Sequence, residues 1–376
     1  MGKNIRIQEV NDKRLFNQFL KFPYKLFKDD KMWVPSLLMD EKVTFDKKKN
    51  PVFEFCEYKI FLAYIDDEVV GRIVGILNNR ANEIWNQKRM RFGWFDYIDD
   101  VEVTDALLKA VENWAKVKGM NEVVGPMGFT DMDKEGMMVE GFDVNCPMAC
   151  YYNPSYYPPL IEKLGYVKEV DWIQYEIKAN QPIPEKVAKI NALIKDKYNL
   201  KIAEGITKKQ FLDTYAEKIF KVVNKSFAGL FGYVPLSDKQ LKFYINQYFT
   251  FIDMKLVCFI VDENDDVVAF GASMPSFSEA LRKCKGRIFP FGWYYLLRAL
   301  KNYDYIDLYL NGVDPDWQNK GVHSIYYSEM NRRYIELGSK MAIANPQLET
   351  NQASQIWEKY ESRVAIRRRA YIKKLD

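Results

Sequence analysis

A chain of 376 residues is long enough for two domains, each with a core of its own. Apolar residues make up 48% and charged residues 28%, an ordinary globular balance, and a net charge of +4 over this length gives no reason to expect a nucleic-acid partner. No apolar run approaches the roughly 20 residues that span a bilayer, the N-terminus lacks the apolar core of an export signal, and five scattered cysteines suit a reducing cytoplasm, so a cytoplasmic protein with no membrane partner is expected.

In chain order, residues 4–9 predict a strand and 12–28 a helix broken near Pro23. Residues 58–77 hold two strands joined at Asp66-Asp67, and 90–98 a third. Thr104 is placed as the cap of an amphipathic helix ending at Gly119, with Leu107, Ala110, Val111 and Trp114 on one face. A strand begins at Glu122. The stretch 125–143 that follows is rich in Gly, Met and acid, and 170–177 predicts a further strand. Pro182 and Pro184 mark a linker. The order then begins again: a strand at 200–203, a helix at 207–227, paired strands at 257–261 and 267–273, a strand at 305–310, a helix at 322–337, a strand at 341–344, a helix at 352–360 and a closing strand at 364–374. The basic run Arg367-Arg368-Arg369 fits a solvated terminal strand, and the aromatic pairs Tyr294-Tyr295 and Tyr326-Tyr327 fit either a homodimer interface or a dense core.

One segment carries chemistry. The strand at 305–310 runs through Val313-Asp314-Pro315-Asp316-Trp317-Gln318-Asn319-Lys320-Gly321-Val322-His323 into a helix. A strand, a turn with Gln-x-x-Gly and a helix point main-chain N–H groups at a phosphate; the glycine lets the backbone approach, and the helix start adds about half a positive charge. This segment resembles the acyl-CoA pyrophosphate loop of the GNAT acyltransferase superfamily, Gln/Arg-x-x-Gly-x-Gly/Ala, with His323 at the last small position. Asn153 followed by Glu162-Lys163-Leu164-Gly165-Tyr166 resembles a late GNAT helix and turn, but lies too far upstream to share a domain with that loop. The pair of matches implies an α+β (α/β-like) fold of two tandem GNAT-like domains, 1–180 and 181–376, each a mixed, mostly antiparallel sheet flanked by helices. Phe92-Gly93-Trp94-Phe95, the 125–143 stretch and Arg368-Arg369-Ala370-Tyr371 extend the likeness to bacterial tandem-GNAT proteins of unassigned substrate.

The resemblance implies an N-acyltransferase that joins acetyl-CoA or another acyl-CoA to a small-molecule amine or amino-acid-like acceptor in a ternary complex, with no metal. The first half's equivalent turn, Ile98-Asp99-Asp100-Val101-Glu102, has no glycine and three carboxylates, each costing about 1–4 kcal/mol near a pyrophosphate, so the cofactor belongs on the second half. Its expected contacts are Gln318, Asn319, Lys320, Gly321, Val322, His323 and Asn351, with the Val313 N–H on the thioester carbonyl. His323 either crowds the phosphate or donates to it, and Lys320 either faces the cofactor or solvent. Asp307 is the candidate base, and Tyr360, in a register shared with Trp357, the candidate acid. Asp131, Asp133 and Glu135 are placed beside the acceptor's ammonium group, against the alternative of a solvated acidic loop. Two rivals stay open: a degenerate tandem unit that only binds a ligand or partner, and a Fem-like transferase that takes aminoacyl-tRNA.

Overall fold

The computed structural model describes residues 4–248, 252–351, 357 and 361–376. The first half runs β1 (Ile5–Glu9), α1 (Lys13–Leu26), α2 (Leu38–Thr44), β2 (Cys56–Ile65), β3 (Glu68–Asn78), α3 (Asn79–Ile84), β4 (Arg89–Tyr97), α4 (Val101–Val117), β5 (Glu122–Gly125), β6 (Met137–Glu140), α5 (Tyr157–Lys163) and β7 (Val167–Lys178). The second runs α6 (Glu185–Tyr198), β8 (Lys201–Ile202), α7 (Lys208–Gln210), α8 (Ala216–Phe227), α9 (Asp238–Tyr248), β9 (Val257–Val261), β10 (Val267–Pro275), α10 (Ser278–Cys284), α11 (Gly292–Ala299), β11 (Tyr305–Val313), α12 (Val322–Glu336), β12 (Met341–Ile343), β13 (Gln347–Leu348) and β14 (Ser362–Lys374). Helices α2, α3, α6, α9, α10 and α11 are additions to the sequence-based expectation.

The strands form one mixed sheet in the order β1-β2-β3-β4-β5-β14-β7-β12-β11-β10-β9-β8, with β6 on β14 and β13 on β7. Among the described residues, only β4/β5 and β11/β12 pair in parallel. The order is symmetric about the central β14–β7 pair. Each half's row of strands is completed by the last strand of the other, so a cut at 180/181 leaves β14 hydrogen-bonded to β5, β6 and β7. In the first half α4 and α5 pack one face of the sheet and α1 the other; in the second, α12 packs one face and α8 the other.

Three local expectations are corrected. Helix α1 runs unbroken through Pro23, because the carbonyl of Phe19 that proline cannot serve accepts from Arg72 Nη1 at 3.0 Å instead. Helix α4 starts earlier than expected: Asp100 caps it, accepting from the N–H of Glu102 at 2.9 Å, and Thr104 sits a turn inside. The basic run is no solvated edge. It lies on the central strand β14, where Arg368 is fully buried and donates to Gln174 Oε1 at 2.7 Å and Cys146 Sγ at 3.2 Å. Arg369 pairs with Asp171 at 2.8 Å; burial alone would raise that carboxyl, yet Arg369 and Lys168 hold it below the usual range.

Candidate functional site

Strands β11 and β12 pair only from Tyr305↔Met341 to Asp307↔Ile343, after which a bulge between Leu308 and Leu310 turns β11 away. The wedge that opens exposes one main-chain edge of β11. Asp314 N donates to Val268 O of β10 at 2.9 Å, so by antiparallel alternation the Val313 N–H points to the opposite, open edge. Val313 O accepts from Gln318 Nε2 at 3.3 Å.

Beyond Val313 the chain makes a short turn at Pro315–Trp317 and enters α12 through Asn319 at φ 61° and Gly321 at φ 78°. The left-handed conformation at Gly321 suits glycine, and a Cβ there would stand 2.7 Å from Ile194 Cδ1 of α6. Gly321, the N-cap residue of α12, offers no side chain to cap the helix start, and no side-chain cap is found there among the described residues. Gln318, Asn319, Lys320 and His323 are exposed, while Val322 is fully buried and anchors the first turn. Lys320 Nζ lies 4.6 Å from the Trp317 ring and 5.6 Å from that of Tyr198, a cation–π seat on the outside of the turn. Helix α6, absent from the sequence reading, steadies this corner: Asn191 Nδ2 donates to Ser328 Oγ at 2.7 Å and to Ser324 O at 3.2 Å.

A narrow cleft lies between the wedge and α12, walled by Leu308, Leu310, Asn311, Tyr326, Tyr327 and Trp357. Trp357 is buried and donates Nε1–H to Gln347 Oε1 at 3.1 Å, so it is a wall residue. Tyr360 lies outside the described residues. Asn351 is half-buried, its N–H on Leu348 O at 2.9 Å.

Asp307 sits at the base of the wedge, 2% exposed, and neither carboxylate oxygen has a hydrogen-bond partner among the described residues. Burial pushes its carboxyl up to about 7, opposed by the neighbouring Ser276 hydroxyl. A buried carboxyl raised toward neutrality is fit to accept a proton.

The first half has the same wedge, and it is filled. Past Arg91↔Val124, strand β4 leaves β5. Its open main chain is taken by tyrosines: Trp94 N–H donates to the Tyr151 hydroxyl at 2.7 Å, Tyr97 N–H to that of Tyr157 at 2.9 Å, and the Tyr156 hydroxyl to Tyr97 O at 2.7 Å. The Tyr97 and Tyr157 rings stack at 4.0 Å. The Asp100 carboxylate occupies the helix start that an anion would need. Tyr156 and Tyr157 stand in the segment whose sequence resembles a late GNAT helix and turn, but neither they nor Tyr151 was assigned this sealing role from the sequence.

Of the loop acids, Asp131 reaches the second half. Asp133 accepts from Thr130 N at 3.0 Å within its own loop, and burial pushes it up to about 6. Asp131 accepts from Val234 N at 3.2 Å and shares a hydrogen bond with Glu135; burial, then the Asp131 charge, raise Glu135 well above the carboxylate range. Arg91 stands beside the pair and donates to Gly232 O at 2.8 Å.

No protein-family model matches the chain. A bacterial ceramide synthase of Caulobacter vibrioides (strain NA1000 / CB15N) is 27% identical over 292 residues, covering 76% of this chain and 73% of that protein. Protein YghO of Escherichia coli (strain K12) is 27% identical over 288 residues, covering 75% and 71%. Among solved structures, a tandem GNAT protein from the clavulanic acid biosynthesis pathway matches with a TM-score of 0.56 and 9% identity, over 99% of this chain and 98% of that one. At that identity the likeness is one of fold, and it agrees with the paired wedges and the exchanged last strands: the chain has the tandem GNAT fold.

Proposed function

We propose that the chain is an acyl-CoA-dependent N-acyltransferase whose donor site lies in the second half. The observation that carries this reading is the open helix start at Gly321, beside a wedge whose counterpart in the first half is closed. The turn from Gln318 to His323 holds the pyrophosphate through main-chain N–H groups, and the exposed His323 flanks it. The bound cofactor supplies an activated thioester. The Val313 N–H steadies the carbonyl oxygen, and Asp307 removes the proton of the attacking amine. Return of a proton to the departing sulfur is assigned to Tyr360, with Asn351 at the start of that segment.

A ceramide is a fatty amide, so the relative named for its synthesis forms the same bond. That relative, together with the apolar walls of the cleft, favours a long acyl chain and a long-chain amine over acetyl transfer to a small polar amine. Calorimetry with acetyl-CoA and a long-chain acyl-CoA tests the donor site, and mass spectrometry of products from a panel of amines tests the acceptor. Absence of heat with every acyl-CoA would overturn the reading. For the loop acids, Asp131→Ala with Glu135→Ala raises the acceptor KM if they hold the ammonium group; unchanged kinetics leave them as struts between the halves.

A further inference from the structure

The connection between β10 and β11 carries a feature that acyl transfer does not require. Helices α10 and α11 form a projecting hairpin that exposes large apolar side chains: Phe289 at 79%, Phe291 at 70%, Leu297 at 53%, Tyr294 at 50% and Trp293 at 47%. Scattered surface apolar residues are ordinary, but five within nine positions on one knob are not. The base of the hairpin is firmly seated. Leu281 and Phe277 are buried against Val34 of the first half, Leu38 N donates to Gly286 O at 3.1 Å, and a Cβ on Gly286 would stand 2.3 Å from Ser36 O. The exposed tip is thus a held shape rather than a frayed one.

Charge distinguishes its partner. From residue 280 to 303 there are six basic residues and no acidic one. Lys283 pairs with Glu279 at 2.5 Å, while Lys285, Arg287, Arg298 and Lys301 are exposed around the aromatic tip. Phe, Trp, Tyr and Leu at a tip ringed by Lys and Arg match the headgroup region of a bilayer, where aromatic rings enter the interface and basic groups meet lipid phosphate. No helix among the described residues is long and apolar enough to cross a membrane, so this contact is with the surface.

We propose that the α10–α11 hairpin docks the protein onto an anionic lipid bilayer. The site stands on these residues alone and does not depend on acyl transfer. Its position adds a consequence: the hairpin returns to the sheet at Tyr305, the end of β11 that carries Asp307, while the Gln318–Gly321 turn lies beyond the other end. Under the proposed acyl transfer, a membrane-borne amine would approach the end of the strand away from the donor turn.

Co-sedimentation of the full chain with phosphatidylcholine vesicles, with and without phosphatidylglycerol, tests this directly. The protein should pellet with the anionic vesicles and be released by salt. Phe289→Ser with Phe291→Ser, and separately Arg287→Glu with Arg298→Glu, should each weaken binding by about tenfold or more, with the melting temperature unchanged because all four side chains are exposed. The readout is partition, so it stands whether or not acyl-CoA binds. No binding to anionic vesicles, or binding indifferent to both variants, overturns the proposal. So does a dimer in sedimentation velocity that the phenylalanine variants dissociate without any vesicle binding, since the knob is then a contact between two copies.

Discussion

The turn after β4 and the turn after β11 occupy equivalent places in the sheet and have opposite chemistry. Both follow a strand that bulges away from its parallel neighbour, and both lead into a long helix. In the first, Asp100 brings its own carboxylate to the helix start and three tyrosines satisfy the strand's open main chain. In the second, Gly321 leaves the helix start without a side-chain cap and the strand edge faces a cleft. One backbone plan therefore leaves the main chain at the turn uncapped in one half and answered by side chains of the same protein in the other. The sealed half keeps a structural duty, since its last strand β7 completes the second half's sheet.

The largest effect expected from breaking this asymmetry is at Gly321. Gly321→Glu places a carboxylate at the anion cradle, at φ 78° and against Ile194, and should abolish acyl-CoA binding in calorimetry. A melting curve separates lost binding from lost fold. Heat of binding equal to that of the native chain would show that the donor sits elsewhere.

Next in size is Asp307→Asn, which should lower kcat/KM by about 100-fold or more while leaving acyl-CoA affinity intact. If Asp307 is the proposed base, its carboxyl near 7 means that activity of the native chain should rise from pH 6 to 8 and level off as Asp307 loses its proton, and the Asn variant should show no such rise. The stability sign runs the other way. A carboxyl raised from 3.8 to about 7 by folding favours the native state below pH 4 and loses that contribution as pH climbs through 7, so Asp307→Asn should raise the melting temperature more at pH 8 than at pH 5.

What could be read from the sequence was local. The strand, turn and helix around Gly321 are contiguous, and their apolar spacing and glycine place them without knowledge of any distant residue. What escaped was non-local. Arg368 looks like a solvated cation until β14 is known to lie between β5 and β7, where Gln174 and Cys146 meet it. Pro23 predicts a broken helix unless Arg72 is known to reach the Phe19 carbonyl. Tyr294 and Tyr326 sit in similar aromatic pairs, yet one is 50% exposed and the other 3%, a difference set by which element each faces. Likewise, that Tyr151, Tyr156 and Tyr157 close a wedge depends on where α5 and the segment before it return to the sheet.

A smaller effect should follow from unsealing the first half. Tyr157→Phe removes the acceptor for the Tyr97 N–H in a fully buried setting and should cost about 1–3 kcal/mol in denaturant unfolding. Acyl-CoA affinity should not move, because the second half's turn is untouched. A fall in affinity would mean that the two wedges communicate through the shared β7–β14 pair.

The smallest change sharpens the comparison most. Asp100→Ala removes the cap of α4 and should cost about 1 kcal/mol. Asp100→Asn keeps an oxygen for the Glu102 N–H and should cost less, while removing the carboxylate charge from the first half's turn. If that charge alone excluded a pyrophosphate, the Asn variant would gain a second acyl-CoA site. Asp99 and Glu102 remain in the turn, and the tyrosines still hold the main chain of β4, so the expected stoichiometry stays at one acyl-CoA per chain. A second site appearing in the Asn variant would place the whole difference between the halves in one side chain, and the tyrosine plug would be packing rather than a seal.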